Sequence, residues 1–515
     1  MATAAATAPM QQQTSPPGLR VVDTALVPPC LSASSCSAPP PESSLPLTFF
    51  DIIWLRSPPV ERVLLYRLAA DADVAAIVSS LRDSLSRAVR AFYPLAGRLR
   101  LAPGTANRYE LHYRPGDGVA FTVAEYDGYD FDSLAADEPK EVAAKIAPLV
   151  PPLPQGGAVL ALQATLLSAR RGRGLALGVS VHHPACDGAA STHFLHTWAA
   201  ACRGGAQAPP PPVIGRSLLD DPRGLYDVFC QAIAPSTETP VHGIKMFPDQ
   251  LLATFTLSMA DLQRIKDAVA AEAARRGVAP PPRCSSLVAT LGFVWWCYRR
   301  ATEDGGEDQP SLLIFSVDHR SRMKPPLPKK YLGNCVGPAS ALAPKGALTA
   351  AGSGGLFGAC AAVAAGIEEA MSGIGTQNLF LSSGGAPPPS STVLFRAKIR
   401  ALTADMELET NEVAGCVRDA FVSTADLKLF FRLLLDCIDG GRFFCPLQEA
   451  ASLGAVSNAV MQSCQCPWRA HFSRQASACP GRVNLLHVDA LERWMDDCFQ
   501  GKQAHVQNVR SSYLR

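Results

Sequence analysis

The chain lacks an excess of charge of either sign: 47 Lys and Arg stand against 45 Asp and Glu, a formal net charge of +2 over 515 residues. That balance leaves no electrostatic footprint for nucleic acid or an anionic membrane surface. Charged residues are scarce, at 18%, yet no uninterrupted apolar run reaches the ~20 residues that cross a bilayer. No basic residue precedes Arg20 and no acidic one precedes Asp23, so the basic start and apolar core of a signal peptide are missing. A transit peptide shares the shortage of acid but is usually rich in Arg. A disordered tail fits the opening better, and a cytoplasmic location is the expectation. Also missing are a phosphate-binding glycine loop, a flavin fingerprint and any metal-ligand rhythm among the 16 cysteines. Cys464 and Cys466 are close together, with no second pair to complete a zinc site. The cysteines read as reduced, mostly buried thiols, and neither a metal nor a permanently bound cofactor is expected.

What is present is apolar material, 48% of the chain, in a length that holds two domains of ordinary size. Residues 1–44 are of low complexity and include Pro39–Pro41, a flexible lead-in. Residues 45–210 mix strand and helix signals. Asp73–Phe92 is helical by its spacing, with Val74, Ile77, Val78, Leu81, Leu85 and Val89 on one face, Asp73 as cap and Pro94 beyond the end. A Gly/Ala/Pro stretch at 203–212 leads to a second mixed half, residues 211–375. There Ser285 or Ser286 caps a helix and Leu312–Val317 reads as a buried strand.

The densest signal is Leu175–Trp198, LALGVSVHHPACDGAASTHFLHTW. Leu175, Leu177, Val179 and Val181 alternate with smaller or polar residues, the pattern of a half-buried strand. Pro184 ends it, and Ala190, Phe194, Leu195 and Trp198 then fall at helical spacing. His183 and Asp187 therefore lie in a turn between strand and helix, with Gly188 leaving room for a ligand. An imidazole suits proton transfer near neutral pH. Asp187 can cap the helix, and His182, His193 and His196 are read as packing residues.

The motif His182-His183-x-x-x-Asp187-Gly188 resembles the signature of the BAHD acyltransferases. Further blocks agree in order and spacing: LPLTFFDIIWLRSPPVERVLLYR at 45–67, AFYPLAGRL at 91–99, SSLVATLGFVWWCYRR at 285–300 and SVDHRSRMKPPLPKKYLGNCVG at 316–337. Their wording is closest to the branch that malonylates phenolic glucosides and anthocyanins. The resemblance covers roughly residues 20–375 and is specific.

It implies a mixed α/β fold of two domains like those of chloramphenicol acetyltransferase, with a solvent channel between them. It implies acyl transfer from coenzyme A, malonyl-CoA as co-substrate, to a hydroxyl of a phenolic or flavonoid glucoside. His183 would be the base, with Asp187 paired to Arg320 and, with Gly188, supporting the site. Tyr331–Gly337 would approach the coenzyme A side through Asn334 and Gly337, with a plain interdomain loop as the alternative. Lys324, Lys329 and Lys330 would attract phosphates or form a solvated charge run. The expected partners are small molecules, with a monomer and neither membrane nor nucleic acid.

The resemblance fails from about residue 376. The second family signature, Asp-Phe-Gly-Trp-Gly, has no match near residues 390–420, and residues 376–515 hold seven of the 16 cysteines. Helices at Thr424–Ile438 and Val488–Phe499 are the readable elements of this tail. Its origin is either an altered gene model or a divergent second half, and a catalytically impaired relative stays open beside the enzyme.

Overall fold

Five strands form the main sheet of the first half: Leu19–Val27 (β1), Val60–Leu68 (β3), Val119–Tyr126 (β6), Leu160–Ser168 (β8) and Arg173–Val181 (β9). Their order is β1-β6-β8-β9-β3, antiparallel except for β6 beside β8. Ser43–Pro46 (β2), Arg98–Leu101 (β4) and Tyr109–Tyr113 (β5) make a smaller sheet, and Lys140–Glu141 (β7) pairs with Leu251–Leu252 (β10). The structure, a computed structural model, describes residues 17–372 without 31–38, 137–139, 171, 205–208, 234–250, 253–256, 258, 282–283, 302–307 and 309. Beyond 372 it describes short strands at 392–394, 397–398, 412–413 and 483–484.

Phe49–Ile52 (α1) is a single helical turn, so the block at 45–67 is strand, turn and strand. Helix Val74–Ala91 (α2) starts where the sequence places it. The Asp73 carboxylate accepts the Ala76 N–H at 3.1 Å, and Ile77, Leu81, Leu85 and Val89, four residues apart, are buried. After the short Phe131–Ala135 (α3), helix Gly188–Cys202 (α4) packs on α2. The Trp198 indole N–H joins them, donating to the Leu81 carbonyl at 3.1 Å and the Ser84 hydroxyl at 3.0 Å. Leu225–Ala232 (α5) packs against α1.

In the second half, helices Met259–Arg276 (α6), Ser286–Ala301 (α7) and Gly354–Ser372 (α9), with the short Lys345–Thr349 (α8), cover strands Pro310–Asp318 (β11) and Val336–Pro344 (β12). Thr392–Leu394 (β13) runs parallel to β11 on its other edge. Ser285 caps α7, its hydroxyl accepting the Val288 N–H at 3.3 Å. By length and composition α9 could cross a membrane. It lies against α7 and β12, with Leu356, Ala359, Cys360 and Val363 buried. The fold is thus mixed α/β, with a main hydrophobic core in each half and a smaller cluster around Phe131 on the other face of the first sheet.

Three expectations need correction. Residues 1–44 are not all lead-in, because β1 is the edge strand of the main sheet, held on β6 from Leu19↔Tyr126 to Val27↔Val119. Its outer face is exposed and a register shift falls between Val21 and Asp23, so no clean alternation marks it. The first half does not stop at 210: Leu219, Leu225 and Tyr226 belong to its core, and so do Leu327, Tyr331, Leu332 and Cys335 from the later half. Finally, β9 is buried on both faces. Its small residues fit against other chain segments, Gly174 under Phe131 and Gly178 under the Leu149 carbonyl. The Ser180 hydroxyl donates to the Pro151 carbonyl. The expected helices at 424–438 and 488–499 lie outside the described residues.

Candidate active site

At the end of β9 the His182 N–H donates to the Val159 carbonyl at 2.8 Å, the last bond before the chain leaves the sheet. Pro184 has no N–H to continue a ladder. His183–Ala185 instead closes one tight turn, with the Ala185 N–H on the His182 carbonyl at 2.9 Å. The His183 ring, 6% exposed, stacks on the Trp54 indole with centroids 3.9 Å apart and planes 5° apart. The His183 carbonyl accepts the side-chain N–H of Asn334 at 2.9 Å.

Asp187 caps α4, its Oδ1 accepting the Ala190 N–H at 3.0 Å, and Gly188, half-buried, opens that helix. Arg320 sits against the same carboxylate, Nη2 2.9 Å from Oδ1 and 2.8 Å from Oδ2, and the Cys335 N–H adds a bond to Oδ2 at 3.0 Å. Arg320 also donates to the Gly333 carbonyl at 3.1 Å and to Asp318 at 3.2 Å. Burial pushes the Asp187 carboxyl up, against the pull of Arg320. Burial alone would lower the Arg320 guanidinium, but Asp187 and Asp318 outweigh it and hold its pKa above the ordinary value. Asp187 therefore points at an arginine of the later half, and the pairing implied by the resemblance is present.

A second buried carboxylate lies on the other side of the turn. Asp51 has no exposed surface and accepts four donors. Thr48 N–H and Oγ1 reach its Oδ2 at 2.8 and 2.7 Å, and Asn334 N–H and Nδ2 reach its Oδ1, both at 2.9 Å. Arg216 Nη1 lies 3.6 Å from Oδ2 and donates to the Tyr331 hydroxyl and the Leu332 carbonyl, both at 2.8 Å. Burial pushes the Tyr331 hydroxyl up to about 12. Gly333 is required here, since a Cβ on it would fall 1.8 Å from Arg216 Nη1.

The two residues expected on the coenzyme A side have buried structural surroundings. Asn334 has no exposed surface and both of its amide hydrogens are taken, by Asp51 and by the His183 carbonyl. Gly337, the second residue of β12, leaves space for His319, whose Nε2 would be 2.6 Å from a Cβ. His319 is buried and stacked on Phe50, and burial lowers its pKa to about 4. His193 is buried on α4 with Nε2 2.8 Å from the Pro210 carbonyl, its pKa lowered to about 4 by burial first and Lys330 second. His182 is half-buried and lowered by burial, while His196, Lys324 and Lys329 are exposed.

A family model described as the Transferase family matches residues 35–351, a span that contains every residue of this site. The chain belongs to this family, the BAHD acyltransferases. The malonyl-CoA:anthocyanidin 5-O-glucoside-6''-O-malonyltransferase of Arabidopsis thaliana is 33% identical over 317 residues, covering 58% of this chain and 67% of that protein. Phenolic glucoside malonyltransferase 1 of the same plant is 32% identical over 345 residues, covering 62% and 71%. Among solved structures, that of vinorine synthase overlays with a TM-score of 0.44 at 21% identity, covering 64% of this chain and 71% of that one.

For a BAHD acyltransferase, the His183 turn is the expected centre. Asp51, Trp54 and Arg216 were not legible as part of it. The signal available for Asp51 was Thr48-x-x-Asp51, the spacing of a capping box, which marks a helical turn but not what that turn touches.

Proposed function

We propose that this BAHD acyltransferase moves a malonyl group from malonyl-CoA to a hydroxyl of a phenolic or flavonoid glucoside, with His183 as general base. The observation that carries the reading is the His183 turn, locked by Asn334 on its carbonyl and by the Asp187–Arg320 pair at its exit. The imidazole takes the acceptor's hydroxyl proton as that oxygen bonds to the thioester carbonyl carbon. The tetrahedral intermediate then collapses with cleavage of the carbon–sulfur bond, and the imidazolium returns its proton to the departing thiolate. No acyl-enzyme is needed. A positioned base contributes about 10²–10⁴-fold. Asp187, Gly188, Arg320, Asn334 and Gly337 act by holding the turn and its neighbours in place.

Malonyl as the acyl group and a glucoside as acceptor rest on the activities named for the relatives. One chain supplies His183 and all the supports described, which favours a monomer, and acyl-CoA chemistry fits the cytoplasm. The test is release of free coenzyme A by the purified chain with malonyl-CoA and a panel of phenolic glucosides. Turnover is expected in the parent and a loss of at least ~100-fold in His183→Ala. Full turnover by His183→Ala would remove His183 from its role.

A further inference from the structure

Everything named so far fixes the main chain around His183, yet a base must also hold its ring. One contact of the ring is Trp54, face to face at 3.9 Å and 5°. Trp54 follows Asp51 by three residues, one helical turn later, and its own N–H donates to the Asp51 carbonyl at 3.1 Å. Asp51 in turn is joined through Asn334 to the His183 carbonyl. One short turn of chain thus touches the base twice, by way of Asn334 at its backbone and directly at its ring. The indole nitrogen is buried and makes no hydrogen bond among the described residues, so it is the aromatic face, not a polar bond, that meets the imidazole.

We infer that Trp54 is a positioning residue for the base: the indole face sets the plane of the His183 ring, and Asp51 anchors the turn that carries the indole. The flat stack blocks rotation about the last side-chain torsion, a soft and broad one in histidine, and, being face to face, does not occupy the ring edges where the nitrogens lie. It also favours the imidazolium formed when the proton is taken, since a cation over an indole face is attracted by it. Loss of the face frees the ring without removing the base, so the chemical step suffers while binding of either substrate does not.

The inference rests on His183 being the base, and its test separates the two. Steady-state kcat and KM would be measured on the full chain with malonyl-CoA and a phenolic glucoside for the parent, His183→Ala, Trp54→Ala and Trp54→Phe. In Trp54→Ala, kcat is expected to fall by roughly 10–100-fold, the scale of a misplaced catalytic group, with both KM values nearly unchanged. Trp54→Phe, which keeps a face but not the indole nitrogen, should recover most of the lost rate. Equal losses in the two variants, a change confined to KM, or parent-like kcat in Trp54→Ala would each overturn the inference. Full activity in His183→Ala would instead overturn the function it rests on. A second readout needs no substrate: in protein with 13C-labelled histidine, the resonance lost in His183→Ala should lie upfield under the indole ring current and move downfield in Trp54→Ala. An unmoved resonance would show that the rings do not stack.

Discussion

Asp187 and Arg320 form a pair with 2% and 5% of their surfaces exposed. Such a pair is worth little in itself, because two desolvated ions recover in attraction about what they lose in hydration, but removing one partner strands the other. Arg320→Met should therefore lower the free energy of unfolding by about 3–5 kcal/mol, read from urea denaturation. The double change Asp187→Asn/Arg320→Met should be less damaging than Arg320→Met alone, because no charge is left unmatched. A double variant no more stable than the single would show that the arginine acts through packing rather than through its charge. Asp51 differs in kind. It meets four hydrogen-bond donors and one guanidinium further off, so it works as a junction for main chain more than as half of an ion pair.

Among the elements, β9 decides where His183 stands, and Gly178 decides where β9 stands. A Cβ at Gly178 would lie 2.0 Å from the Leu149 carbonyl oxygen, a backbone atom that cannot swing aside. Gly178→Ala should cost about 1–3 kcal/mol through overpacking and lower the melting temperature; an unaltered melting curve would mean that residues 147–151 yield freely. This strand also marks the limit of what the sequence disclosed. Strand, turn and helix around His183 follow from local periodicity, the proline and the Asp187 cap, and were legible. The second buried face of β9 was not, because Ala, Gly and Ser in alternate positions look like a solvent face. The edge strand β1 was hidden by its exposed side and its irregular register. Asp51 and Asn334 are 283 residues apart, and no period in a chain encodes such a meeting. Arg320 was found only because a family resemblance named it.

For the molecule as a whole, His193 and His319 are buried in packed surroundings with pKa values of about 4, against about 6.5 in the unfolded chain. Above pH 6.5 neither state binds these protons and they leave stability unchanged. Below it the unfolded chain takes them up while the folded one resists until near pH 4. Stability from the neutral histidines is therefore complete at pH 7 and lost as pH falls between 6.5 and 4, with a slope of up to ~1.4 kcal/mol per pH unit for each histidine. The urea midpoint should drop between pH 7 and 5, and drop less in His319→Phe. A midpoint unchanged over that range would refute neutral burial of the pair.

The distance in sequence between Asp187 and Arg320, 133 residues, also has a meaning in time. A ribosome adding roughly 5–20 residues per second delivers the arginine roughly 7–27 s after the aspartate. Through that interval the nascent first half carries a helix cap whose charge has no counterion, and Asn334 has yet to be made. The His183 turn is therefore the last part of the first half to mature: the strands around it can pair during synthesis, but the turn is fixed only when the later half emerges and reaches back.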